Sequence, residues 1–124
     1  MTYFKTWQTK GDNKYRAVKK TVNGIIYHSQ KEANKSVELD YLVKAKEIKS
    51  WTRQVKEELR GENGTLICKV YPDFLITHND GTLEYLEIKS KVTATPIWKL
   101  KWRLLQDKLR DKMKTGEVKM TVEY

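Results

Sequence analysis

Apolar and polar positions change their spacing several times along the chain, and each change marks an element. Residues 17–22 and 25–28 read as extended segments separated by Asn23-Gly24. That pair accepts the positive φ angles of a type I′ turn, so a β-hairpin is predicted. Ser29-Gln30-Lys31-Glu32 reads as a capping box opening a helix that runs to about Ala45. Extended chain is predicted over Ile48–Leu59, closed by the turn-rich Gly61-Glu62-Asn63-Gly64, and again from Thr65 through Tyr71 into Pro72-Asp73-Phe74 and on to Thr77. Asn79-Asp80-Gly81 is a turn, and Leu83–Ser90 returns as a strand. Thr95-Pro96 supplies an N-cap and a proline at the first helical position. The helix it opens is expected to reach about Met113, with Gly116 suited to its C′ stop. Val118, Met120, Val122 and Tyr124 then alternate on one face of a final strand. The order hairpin, helix, strands, helix, strand predicts a mixed α/β (α+β) domain.

Length and composition narrow the class. A chain of 124 residues makes one domain, read here as an arm over residues 1–14 and a domain over 15–124. The formal charge of +9 and a pI near 9.6 point to a polyanionic partner, nucleic acid or an anionic membrane surface. One cysteine, Cys68, cannot form an intrachain disulfide, and His28 and His78 are too few and too scattered for a zinc finger. The first residues carry no apolar leader, and no apolar run approaches the roughly 18 residues of a membrane span. The expectation is an intracellular basic domain with no membrane role.

The chemistry-bearing stretch is Tyr71-Pro72-Asp73-Phe74 followed by Leu86-Glu87-Ile88-Lys89. A three-residue loop at Asn79-Asp80-Gly81 would pair His78 with Thr82 and put Asp73 opposite Glu87; a two-residue loop would put Phe74 there. Opposed Cβ atoms lie about 5 Å apart, so two carboxylates at that range need a cation or a shared proton. Lys89 falls on the same strand face as Glu87, while Leu86 and Ile88 point into a core. Carboxylate oxygens suit Mg²⁺, and a lysine beside it can orient or deprotonate water and balance phosphate charge. The plainer alternative is a charged surface hairpin with a Glu–Lys pair.

Two helices bear on this choice. At about 100° per residue, Glu32, Ser36, Leu39 and Val43 share one sector of the first helix, so Glu32 heads an apolar stripe while Glu38 points to solvent. Capping alone could account for Glu32. On the last helix Trp98, Trp102, Leu105, Leu109 and Met113 form a stripe that suits a core better than a base-stacking platform. Beside it run Lys99, Arg103, Gln106 and Arg110, a row that suits a phosphate backbone or a solvated flank.

These residues resemble the signature of the PD-(D/E)XK nuclease superfamily, with Pro72-Asp73 and Glu87-Ile88-Lys89 in its positions. Asn23-Gly24, Tyr27 to Ala33, Ile48, Arg53-Gln54 and Pro72-Asp73-Phe74 extend the similarity to a family of small nuclease-like proteins of phages and prophages, over roughly Tyr15 to Arg110. The resemblance implies a restriction-endonuclease-like core, a mixed sheet flanked by helices. It further implies Mg²⁺-dependent hydrolysis of DNA phosphodiesters, with Mn²⁺ as a substitute, in the cytoplasm of a bacterial host cell. It assigns Asp73 and Glu87 as metal ligands, Lys89 as catalytic lysine, Glu32 as supporting acid, and Gln54 and Lys99 as auxiliaries. DNA contact falls to Lys99, Arg103, Gln106 and Arg110, and a homodimer would serve two-strand or junction cleavage. Ser90-Lys91 departs from the glycine common after the signature lysine. A DNA-binding accessory protein with the same fold and no turnover is the alternative.

Overall fold

A computed structural model of the chain describes residues 20–27 and 29–124; the arm over 1–14, the first residues of the hairpin and His28 lie outside them. The chain divides into two compact units, Met1–Glu38 and Leu39–Tyr124, with the division falling inside a helix.

In the first unit, β1 (Lys20–Val22) pairs antiparallel with β2 (Ile25–Tyr27). Asn23 and Gly24 have φ of 50° and 81°, the positive pair that a type I′ turn demands. Helix α1 (Gln30–Lys44) opens with Ser29 Oγ accepting a hydrogen bond from the Glu32 N–H at 3.1 Å. Glu32, Ser36 and Leu39 are buried and Glu38 is exposed, as the helical periodicity requires.

In the second unit, α1 ends on Lys46 in the left-handed region, and β3 (Ser50–Arg53) follows. The single strand expected over Ile48–Leu59 is two. Gln54 takes φ +49°, turning the chain so that β4 (Glu57–Arg60) leaves the main sheet and pairs with β5 (Leu66–Val70) in a sheet of its own. β6 (Phe74–Thr77) pairs antiparallel with β3 and with β7 (Leu83–Ile88). Thr95 caps α2 (Pro96–Lys108) by accepting from the Trp98 N–H. The helix stops short of Met113: Leu109 leaves helical geometry (φ −98°, ψ 8°) and a short α3 (Arg110–Lys114) follows. β8 (Val118–Glu123) lies parallel to β7, giving a mixed sheet in the order β3-β6-β7-β8. The fold is thus mixed α+β, a mixed sheet flanked by helices with an N-terminal hairpin. Among the described residues no helix is long and apolar enough to cross a membrane.

The expected apolar stripe of the last helix is the core. Trp102, Leu105 and Leu109 pack with Tyr85 and Val118 of the sheet and with Leu59 and Val70 of the small hairpin, and Trp98 and Met113 border them. Leu86 and Ile88 are buried as well, so β7 is covered on both faces. Tyr124 departs from expectation: it follows the alternation of β8 but stands 66% exposed.

Neighbouring leucines on α2 test this packing. Leu105 is fully buried and Leu104 is 40% exposed. Leu105→Ala is expected to cost about 3 kcal/mol in urea unfolding and Leu104→Ala less than about 1.

Candidate active site

The site grows out of the β6–β7 hairpin. Its loop has three residues: the His78 N–H donates to the Thr82 carbonyl (2.8 Å), and Gly81 sits at φ +92°. The register then runs Thr77–Leu83, Ile76–Glu84, Leu75–Tyr85, Phe74–Leu86, so the next opposed pair is Asp73 and Glu87. By the two-residue alternation of an antiparallel ladder, the rung beyond Phe74–Leu86 belongs to Pro72 and Ile88. Proline has no N–H to give. At that rung the Ile88 N–H donates to Asp73 Oδ2 at 2.8 Å, and the Asp73 N–H donates to Glu87 Oε1 at 3.1 Å. The two carboxylates thus accept backbone amides at the end of the ladder.

Lys89 completes the group. Its Nζ lies 3.0 Å from Glu87 Oε2 and 4.9 Å from the centre of the Trp98 ring. Its own N–H donates to the Glu123 carbonyl of β8. The face of β7 carrying Glu87 and Lys89 also carries Tyr85, so the charged pair prolongs the core under α2 toward that helix's first turn. Glu87 is only 4% exposed, and burial, then the charge of Asp73, raises its pKa to about 7 against the opposing pull of Lys89. After Lys89 the chain turns through Ser90 and Thr93, where the Thr93 N–H donates to Ser90 Oγ and the Ser90 N–H to Thr93 Oγ1. Ser90 thus closes the loop with a side chain, where a glycine would close it by backbone freedom.

The other expected residues divide. Lys99, Arg103 and Gln106 border one groove on α2 together with Trp98 and Tyr124. Arg110 lies further along the row, in a second groove with Arg103 and Gln106, and pairs with Asp107 at 3.5 Å. Gln54 does not present a side chain in line with its strand; it is exposed at the left-handed bend, and its backbone N–H donates to the Asp73 carbonyl at 2.9 Å. Its contribution is to hold the backbone of Asp73. Glu32 belongs to the first unit; it is 8% exposed, and its Oε1 meets no hydrogen-bond donor among the described residues. Trp51 donates from Nε1 to Asp40 Oδ1 at 3.0 Å and stands edge-on to Phe74. Sequence reasoning missed the Trp98 contact to Lys89; its one signal is that α2 begins soon after that strand.

Among the described residues no three His, Cys, Asp or Glu side chains converge as a metal cage. The donors present still fit a hard divalent cation. They are two carboxylates, set opposite each other by register, and burial and the charge of Asp73 raise the pKa of Glu87.

Between pH 4.5 and 7 the folded chain keeps the Glu87 proton that the unfolded chain has released, so rising pH favours unfolding over that window. Glu87→Gln removes this dependence. Without divalent metal, its stability relative to the parent protein should rise by up to about 3 kcal/mol from pH 4.5 to pH 7, read by denaturant titration at each pH.

No curated protein and no solved structure matches the chain. The family described as "Protein of unknown function (DUF1064)" matches it over residues 12–122, nearly its whole length, and the chain belongs to that family.

Proposed function

We propose that the chain is a Mg²⁺-dependent endodeoxyribonuclease of the PD-(D/E)XK kind, hydrolysing DNA phosphodiester bonds. The observation that carries this reading is the joining of Asp73, Glu87 and Lys89 at the end of the β6–β7 ladder. Asp73 and Glu87 would hold a Mg²⁺ or Mn²⁺ ion, which would lower the pKa of a water and offset phosphate charge. Lys89 is held by Glu87 and the Trp98 ring, where its ammonium can orient the attacking water and balance charge on the phosphate. The exposed Lys99 and Arg103, with Gln106 and Arg110, form the row for the DNA backbone. Glu32 would serve as a supporting acid; its buried Oε1 meets no hydrogen-bond donor among the described residues. A homodimer in the cytoplasm of a bacterial host, cutting both strands or a branched junction, completes the reading.

The test is cleavage of linear, nicked, branched and single-stranded DNA in Mg²⁺ or EDTA. Asp73→Ala, Glu87→Ala and Lys89→Ala are each expected to lose at least about 100-fold in rate. Wild-type cleavage by Glu87→Ala would overturn the site. If the parent protein cuts nothing in Mg²⁺ or Mn²⁺, the accessory protein takes its place, with an affinity that falls with salt and ignores Mg²⁺. Glu32→Gln should keep the melting temperature and slow cleavage. Mg²⁺ should raise the melting temperature of the parent protein and leave that of Glu87→Gln nearly unchanged.

A further inference from the structure

Beside the carboxylates lies a groove that phosphodiester chemistry does not account for. It encloses about 500 Å³ between the first turns of α2 and the end of β8, and Trp98, Trp102, Lys99, Arg103, Gln106 and Tyr124 border it. That volume is in the range of pockets that hold small planar ligands. Its chemistry is one-sided: the charged residues on its border are cations, and the remainder is mainly aromatic or aliphatic. Trp98 and Trp102 stack at 5.6 Å to form its floor, and Trp98 Nε1 is buried with no hydrogen-bond partner among the described residues. Tyr124 stands 66% exposed, a ring with a free face.

Register ties this groove to the chemistry. Val122, also on its border, is the Cα partner of Glu87 across the parallel β7–β8 pair, and Ile88 faces Glu123, so the following rung sets Tyr124 beside Lys89. The same Trp98 that floors the groove carries the Lys89 ammonium over its ring. An occupant would therefore lie one side chain away from the candidate reacting centre.

We propose that this groove takes an unpaired nucleotide of the substrate, its base on the Tyr124 ring and its flanking phosphates on Lys99 and Arg103. Stacking on an exposed aromatic ring tolerates any base, and the two cations track the backbone without reading sequence. A base-paired nucleotide cannot enter, because both its faces are already stacked within the duplex. The inference rests on the nuclease reading and deepens it: the substrate is DNA with a single-stranded segment beside the scissile phosphate, such as a flap or a frayed branch.

The experiment measures binding in EDTA, by fluorescence anisotropy, to an oligothymidylate, a blunt duplex and a duplex bearing a single-stranded flap. Tyr124→Ala is expected to weaken oligothymidylate and flap binding about tenfold and to leave the blunt duplex unchanged. Tyr124→Phe, which keeps the ring, should bind like the parent protein. Lys99→Ala and Arg103→Ala should each lower the salt slope for oligothymidylate by about 0.7. Unchanged oligothymidylate binding by Tyr124→Ala, or an equal loss on the blunt duplex, overturns the proposal. Because EDTA separates binding from turnover, failure of the groove would leave duplex cleavage in Mg²⁺ intact. Failure of the nuclease reading would appear instead as absent cleavage with the Tyr124 dependence preserved.

Discussion

The opposition of two acidic side chains at the end of one hairpin is the constraint on which the rest of this structure turns. Asp73 and Glu87 face each other because the β6–β7 ladder has a fixed register. At that end of the ladder Glu87 accepts from the Asp73 amide and Asp73 accepts from the Ile88 amide. Like charges so close in a buried place are unfavourable without compensation. Two compensations are visible: the Lys89 ammonium at 3.0 Å, and the raised pKa that lets Glu87 hold a proton. A divalent cation would be a third, and a stronger one.

The surrounding fold positions this group through parallel pairing. Because β8 runs alongside β7 in the same direction, the ends of both strands finish beside the first turn of α2. Trp98 of α2 meets Lys89 from the end of β7 there and shares a groove with Val122 and Tyr124 from the end of β8. A core of Tyr85, Trp102 and Leu105 holds the strand and the helix at a fixed separation just below. The lysine has little freedom as a result, held by a carboxylate on one side and an aromatic ring on the other. Positions that merely carried positive charge, such as Arg110 with its Asp107 partner, lack any such enclosure.

Much of this was legible from local chemistry. Asn23-Gly24, Thr95-Pro96 and Gly81 announce their turns and caps because each answers a backbone demand that few residues meet. The spacing of Glu87 and Lys89 settles their common face, since side chains alternate along a regular strand. What stayed hidden depends on contacts between distant segments. Gln54 adopts a left-handed bend that its side-chain type does not advertise, and so a continuous extended stretch became two strands in two sheets. Trp98 reads as a core residue by helical spacing, and nothing in that spacing says that one of its faces will meet Lys89. Tyr124 follows the alternation of β8, yet the pattern that buries Val118 leaves it 66% exposed on the border of the α2 groove.

The three-residue turn at Asn79-Asp80-Gly81 has a consequence for how this lineage can vary. Hairpins commonly absorb insertions and deletions, and the Gly61–Gly64 turn, in its separate two-stranded sheet, is free to do so. A single residue gained or lost at Asn79–Gly81 would slide β6 against β7 and break the Asp73–Glu87 pair without disturbing any residue of the site itself. The pairing of the two acids thus depends on the residue count of that turn more than on its composition.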